Sequence, residues 1–183
     1  MPNIFLSPST QEYNEYITGG NEEYYTNLIA DAMEPYLRAS GITFTRNDPA
    51  LTVGGSVSAS NAGNYDLHLA IHSNASPPAL SGRVQGTDVY YYPTSTRGQR
   101  AAEIIAENIE TIYPYPELVG TVASNQLYEL NNTRAPAVLV ELAYHDNWED
   151  ANWIINNIDL IAQTLVRALT EYFGIPFNTP EPA

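Results

Sequence analysis

Residues 137–142, Ala-Val-Leu-Val-Glu-Leu, form the segment that most restricts the fold of this chain. The run is apolar except for one acid and is short, which is typical of a strand that is buried on both faces. Such strands occur mainly in parallel sheets whose two faces are covered by helices. The segment therefore predicts an α/β protein and puts Glu141 near the carboxyl end of a central strand.

The remaining patterns alternate between strands and helices along the chain. Residues 66–72 alternate apolar and polar side chains, as a strand does, whereas 97–112 and 158–173 carry apolar residues at helical spacing. The other predictions are strands over 4–6, 42–45 and 86–92, a long helix capped by Asn21, a loop over 48–58, and helices over 57–62 and 147–156. This order predicts a single domain over residues 1–175, a mostly parallel twisted sheet flanked by helices, and a tail over 176–183.

Charge and composition exclude several classes of partner and chemistry. The chain carries seven cationic side chains, all of them arginine, against 21 acidic ones, for a formal net charge of −14. A surface of this sign repels phosphate, so nucleic acid is not an expected partner. The sequence has no cysteine, which excludes disulfides and thiol catalysis. No stretch approaches the ~20 apolar residues of a membrane span, so no span is expected.

The N-terminal sequence, Met-Pro-Asn-Ile-Phe-Leu-Ser-Pro, has no cationic region and only a very short apolar run. Both features are unlike a secretory signal peptide. We therefore expect a chain that is made in the cytoplasm, and any role outside the cell requires another exit route or a leader that has been trimmed from this sequence.

Two ionisable side chains at the ends of buried strands are candidates for chemistry. His72 ends the strand predicted over 66–72 and is followed by the small polar residues Ser73 and Asn74. In open α/β sheets ligands bind beyond the carboxyl ends of strands, so His72 is either a metal ligand or a hydrogen-bonded structural residue. Glu141 follows four apolar residues, where a carboxylate is costly unless it is paired, binds a metal or takes part in a reaction.

Three further residues have weaker signals. Glu23 lies in the first turn of the first long helix, where acids are common for electrostatic reasons alone. His68 shares a strand face with His72 but lies about 13 Å away along the strand, which is too far for one metal ion to bind both. We therefore interpret His68 as a structural residue or a support for His72. His145 leaves the same strand end as Glu141 and is either a ligand or a surface histidine.

Taken together, these segments resemble the zinc-dependent N-acetylmuramoyl-L-alanine amidases, a cell-wall hydrolase family with a phosphorylase/hydrolase-like α/β fold. The resemblance covers about residues 3–173. It is carried by Tyr-Asp-Leu-His-Leu-Ala-Ile-His-Ser-Asn-Ala at 65–75 and by Pro-Ala-Val-Leu-Val-Glu-Leu-Ala-Tyr-His-Asp-Asn at 136–147. Glu23, four residues before Asn27, also falls where the family has a helix glutamate.

The resemblance implies a role for each of these candidates. It implies that Glu23 and His72 bind zinc and that Glu141 is the general base, which takes a proton from zinc-activated water. Asn74 and Arg134 are expected to contact the substrate, with Arg134 pairing to a carboxylate of the stem peptide. For Arg134, a surface position or a pair with Glu141 is an equally open interpretation. The implied reaction hydrolyses the amide between N-acetylmuramic acid and L-alanine in peptidoglycan.

The sequence departs from the family pattern after the first strand. Thr10 stands where the family has its first zinc-binding histidine, so two of the usual three protein ligands remain. His145, Glu12 and Gln11 are candidates for the third ligand, and the sequence does not choose among them. Two alternatives stay open: a homologue that binds peptidoglycan or a muropeptide without metal, and a metal-dependent hydrolase of another peptide amide.

Overall fold

A six-stranded sheet forms the centre of the protein. It is described by a computed structural model that covers residues 1–181. The strands are β1 (Asn3–Pro8), β2 (Thr43–Arg46), β3 (Leu67–Asn74), β4 (Thr87–Tyr91), β5 (Val119–Ala123) and β6 (Ala137–Tyr144). The helices are α1 (Glu22–Ala39), α2 (Val53–Ala62), α3 (Thr96–Glu110), α4 (Tyr128–Asn132), α5 (Trp148–Asn156) and α6 (Ile158–Phe173). The predicted α/β class is confirmed.

The order of the strands brings several strand ends together. The sheet runs β2-β1-β3-β6-β4-β5. Its first four strands are parallel, whereas β4 is antiparallel to β6 and parallel to β5. The carboxyl ends of β1, β3 and β6 therefore meet at one edge, which we call the carboxyl edge, together with the amino end of β4. There His72 is paired in register with Glu141, and Glu141 with Asp88.

The two faces of the sheet differ because side chains alternate along each strand. One face, the apolar face, packs into the main core with α1, α3 and α6. Its central residues, all fully buried, are Ile4, Leu6, Leu67, Leu69, Ile71, Val138, Val140 and Leu142. The opposite face, the polar face, carries Ser7, His68, His72 and Glu141 beneath α2 and α4, with only a small apolar cluster around Leu139. The chemistry-bearing residues therefore share one face.

Three elements differ from the sequence predictions. Helix α2 begins at Val53, so the loop predicted over 48–58 is wrong in its second half. The Thr52 side chain caps this helix by accepting a hydrogen bond from the Gly55 N–H, but the glycines in the first turn weaken the helical pattern. Strand β5 and helix α4 have no predicted counterpart. The edge strand β5 contains a glycine, and α4 has five residues, which is too few to show a helical period.

The predicted division into a domain over 1–175 and a tail over 176–183 stays a prediction. Phe177 stacks on Tyr36, with ring centroids 6.0 Å apart, and Asn178 exchanges hydrogen bonds with Ser40. The last two residues of the predicted tail, 182–183, lie outside the described residues. Within residues 1–181, no helix combines the length and the apolar character that crossing a membrane requires.

Candidate active site

A cavity of about 550 Å³ opens at the carboxyl edge, over the polar face. The loop after β1, the loop before α2 and the start of α4 form its walls, and His72, Leu139 and Glu141 form its floor. Its walls mix acids with apolar and aromatic side chains. The lining residues are Thr10, Gln11, Glu12, Tyr13, Glu23, Pro49, Ala50, Leu51, Thr52, Val53, Leu127, Tyr128 and Glu129.

His72 is held between two carboxylates. Its Nδ1 atom lies 2.8 Å from Glu22 Oε1, and its Nε2 atom lies 2.9 Å from Glu129 Oε2. Burial alone would lower the pKa of His72, but the hydrogen bonds to Glu129 and Glu22 and the negative charges of Glu129 and Glu141 raise it well above its usual value. Both ring nitrogens therefore donate, and the imidazole carries a positive charge at neutral pH.

Glu129 is the residue that the sequence analysis did not identify. It lies on α4, is 3% exposed, and accepts hydrogen bonds on Oε1 from the Ser7 hydroxyl at 2.6 Å and from His68 Nε2 at 3.1 Å. Burial would raise the pKa of Glu129, but hydrogen bonds from His68 and His72 hold it far below its usual range. Glu129 could have been noticed in the sequence because it is an acid close to the apolar residues Leu127 and Leu130. An acid among apolar residues is also the feature that identified Glu141.

Glu22, the neighbour of the predicted ligand Glu23, is the helix acid that contacts His72. Glu22 is 1% exposed, and the Asn14 side-chain amide and the Ser73 N–H also donate to its carboxylate. Burial opposes ionisation, but the hydrogen bonds from His72 and Asn14 lower its pKa. Glu23 lies on the cavity wall and is partly exposed, because adjacent helix residues point about 100° apart. A ligand role for Glu23 stays a prediction.

Glu141 lies on the cavity floor with an unpaired oxygen. Its Oε2 atom is buried and has no hydrogen-bond partner in the described part of the chain. Burial raises the pKa of Glu141 to about 7, the charge of His72 lowers it, and the charges of Glu22, Asp88 and Glu129 raise it further. A carboxyl group in this environment exchanges a proton near neutral pH, as a general acid or base must.

The side chains do not fit a zinc ion held as the resemblance implies. A histidine that binds zinc must direct the lone pair of a ring nitrogen at the metal, yet a carboxylate oxygen lies within hydrogen-bonding distance of each ring nitrogen of His72. Thr10 supplies no nitrogen. Among residues 1–181, no three histidine, cysteine, aspartate or glutamate side chains converge to hold a metal ion.

The three candidates for the missing ligand have different surroundings. His145 is turned toward β3, with Nδ1 3.0 Å from the Ser73 hydroxyl and its ring stacked on Tyr16. Gln11 lies 3.4 Å from His72 Nδ1 through its amide nitrogen, and Glu12 lines the cavity wall. The ring nitrogens of His72 therefore stay bonded to Glu22 and Glu129, whichever of the three candidates is considered.

The structure does not bring Arg134 or Asn74 to this cavity. Arg134 precedes β6, whereas the site lies at the carboxyl end of that strand, and its backbone N–H and guanidinium donate to Asn61. It lines a separate cavity of about 460 Å³. Asn74 accepts from the Ala75 N–H and does not line the main cavity. Substrate contacts by these two residues stay predictions that the described geometry does not support.

Comparisons with known proteins agree on one family. A family model described as N-acetylmuramoyl-L-alanine amidase matches residues 9–171, which is most of the chain. None of the curated proteins compared with the chain matches it.

Several solved structures share the fold at low identity. The amidase AmiC2 of Nostoc punctiforme superposes with a TM-score of 0.81 at 19% identity, over 94% of this chain and 97% of that one. The catalytic domain of the amidase CwlV from Bacillus (Paenibacillus) polymyxa gives 0.80 at 18%, over 96% and 100%. The catalytic domain of the CD27L endolysin, which targets Clostridia difficile, gives 0.75 at 22%, over 93% and 98%.

Proposed function

The chain belongs to the N-acetylmuramoyl-L-alanine amidase family, and we propose that it acts on peptidoglycan with Glu141 as its general base. The proposed reaction hydrolyses the amide between the lactyl group of N-acetylmuramic acid and L-alanine of the stem peptide. The family is zinc-dependent. Because the side chains at this site do not fit zinc, no step of the proposal passes through a metal.

The environment of Glu141 is the observation that carries this proposal. An acid with a buried, unpaired oxygen and a pKa near 7 is costly to keep, and Glu141 lies on the floor of the acid-lined cavity at the carboxyl edge. Ionised Glu141 takes a proton from a water molecule as the water attacks the amide carbon. The same carboxyl then gives the proton to the leaving nitrogen, so the products are a muramoyl carboxylic acid and a free stem peptide.

The cavity wall supplies groups that suit the rest of this substrate. The Thr10 hydroxyl and the Gln11 amide line the cavity beside His72 and are able to donate hydrogen bonds to a carbonyl oxygen. Tyr13 and Tyr128, 74% and 51% exposed, offer aromatic faces to a sugar ring at the rim. A volume of about 550 Å³ is in the range that takes a sugar with a short peptide.

A second function, binding of a muropeptide without cleavage, is supported by His72. Both of its ring nitrogens bond to carboxylates, so His72 offers no free nitrogen to polarise the carbonyl. Under either function, peptidoglycan or a soluble muropeptide is the proposed partner. The proposed site of action is the cell wall.

Digestion of purified peptidoglycan separates the two functions. We expect the chain to release stem peptides with a new L-alanine amino terminus, and Glu141→Gln to lower the rate by about 100-fold or more. Glu107→Gln, the same change on the exposed side of α3, serves as the control and keeps the rate.

Co-sedimentation with sacculi is measured on the same samples. Sedimentation without product supports the binding function, and cleavage that persists in Glu141→Gln overturns the role of Glu141.

A further inference from the structure

The polar face carries a continuous chain of buried hydrogen bonds that the proposed reaction does not use. It runs from Glu22 through His72 to Glu129, and from Glu129 to Ser7 and His68. We propose that the bridge Glu22–His72–Glu129 takes the place of the zinc that the resemblance implies, and that Glu129 is the residue that keeps zinc out.

The bridge blocks His72 from both sides. Its two ring nitrogens point in different directions, and a carboxylate oxygen lies within 3 Å of each one. Zinc binds a histidine nitrogen at about 2.0–2.1 Å through its lone pair, so zinc would have to break one of two charge-assisted hydrogen bonds. These bonds are shielded from water, since Glu22 and Glu129 are 1% and 3% exposed.

Glu129 cannot swing away without breaking other bonds. Its second oxygen accepts from Ser7 and His68, and His68 Nδ1 in turn lies 3.0 Å from the Ser60 hydroxyl on α2. The carboxylate of Glu129 on α4 is therefore held directly by Ser7 of β1 and His68 of β3, and His68 is in turn held by Ser60 of α2. Because the Glu129 carboxylate is fixed beside Nε2 of His72, this nitrogen donates a hydrogen bond and does not bind a metal ion.

The first strand adds an independent obstacle to zinc. After β1 the chain continues through Ser9 and Thr10, and a hydroxyl is a weaker ligand for zinc than the histidine that the family has in that position. Zinc binding therefore requires two changes. One must free a ring nitrogen of His72, and the other must place a histidine nitrogen at position 10. This requirement makes the proposal testable by gain of zinc as well as by its absence.

The test measures zinc per chain by mass spectrometry after equilibration with zinc at micromolar concentration and desalting. We expect the wild-type chain to retain well under a tenth of an equivalent. The double variant Thr10→His/Glu129→Gln should retain about one, and adding His72→Ala should remove it. The single variants and Thr10→His/Glu107→Gln should stay near the wild type.

Two outcomes overturn the proposal. The first is about one zinc in the wild-type chain that His72→Ala removes. The second is a folded double variant, as judged by near-ultraviolet circular dichroism, that gains no zinc. Zinc content is read without any activity assay, so this proposal and the proposed hydrolysis succeed or fail separately.

A spectrum of the wild-type chain covers the case in which the double variant does not fold. With ¹⁵N-labelled histidine and added zinc, we expect both ring nitrogens of His72 to show the shifts of protonated, hydrogen-bonded nitrogens. One unprotonated ring nitrogen with the shift of a metal-bound imidazole would contradict the bridge.

Discussion

The two faces of the central sheet use the same strands for opposite purposes. On the apolar face, Leu69 and Ile71 of β3 and Val140 of β6 are fully buried among aliphatic side chains. On the polar face, the intervening residues His68, His72 and Glu141 are surrounded by other ionisable groups. Adjacent residues of β3 therefore have different roles, because one points into the apolar core and the next points into the candidate site.

The apolar face stabilises this fold, whereas the polar face contains buried groups that cost stability. Burial of apolar side chains is favourable and non-directional, so the apolar face tolerates apolar substitutions that conserve volume. Buried ionisable groups are favourable only when every partner is in place, so each residue of the polar face depends on the others. The site edge can hold Glu141 in a costly state because the opposite face supplies the free energy of folding.

The largest stability effect on the polar face should come from removing Glu129. Glu129→Ala leaves His72 and His68 without their shared carboxylate, which should cost about 3–5 kcal/mol in the free energy of unfolding, measured by urea denaturation. Ile71→Ala on the apolar face is the matched comparison and should cost about 2–5 kcal/mol by cavity formation. A cost below about 1 kcal/mol for Glu129→Ala would contradict the dependence of the polar face on this carboxylate.

The ionisable groups of the polar face should make stability depend on pH. Between an unfolded pKa of about 4.5 and its folded pKa of about 7, Glu141 keeps a proton that the unfolded chain has lost, so the free energy of unfolding falls as pH rises. His72, whose pKa is raised, adds stability below pH ~6.5 that is lost as pH rises through its folded pKa. Glu22 and Glu129, whose pKa values are lowered, add stability that is lost as pH falls below ~4.5.

Stability should therefore be greatest near pH ~5 and decline toward pH 8 by up to about 1.4 kcal/mol per pH unit for each proton involved. Urea denaturation across this range measures the slope. Glu141→Gln should flatten the decline between about pH 5 and 7, whereas Ile71→Ala should lower the whole curve without changing its shape. The same slope in wild type and Glu141→Gln would show that the decline has another source.

The smallest effect should come from Arg134, which lies at the opposite edge of the sheet. Arg134→Gln removes contacts with Asn61 at the surface, so we expect a change within about 0.5 kcal/mol in the free energy of unfolding. Binding of a muropeptide, measured by titration calorimetry, should be unchanged because Arg134 does not line the main cavity. Loss of binding in this variant would place the substrate elsewhere and return Arg134 to the role that the resemblance implies.

The long periodic elements were predictable because a local pattern was enough to define them. The helix predicted over 158–173 is α6 with the same bounds, and Asn21 caps α1 by accepting from the Tyr24 N–H. The strands that carry His72 and Glu141 were predictable because apolar–polar alternation in the first and a short apolar run in the second are local patterns. Helix α4 was missed because five residues carry no period, and Glu129 was missed with it.

Adjacent residues were the hardest to separate from the sequence. Glu22 and Glu23 both occupy the first turn of α1, and only the rotation of that helix against β3 decides which one contacts His72. Arg134 is close to Glu141 in sequence, but a strand carries the chain from one edge of the sheet to the other between them. The orientation of each element, which sequence spacing does not report, decides both cases.

The sequence by itself determined the α/β class, the buried strands and the presence of His72 and Glu141 at their carboxyl ends, because hydrophobic periodicity is a local property. Only the tertiary structure decided that His72 lies between two carboxylates. Along the chain, His72 is 50 residues from Glu22 and 57 residues from Glu129. Hydrogen bonds act over about 3 Å and depend on direction, so such a bridge exists only after the sheet and both helices have packed.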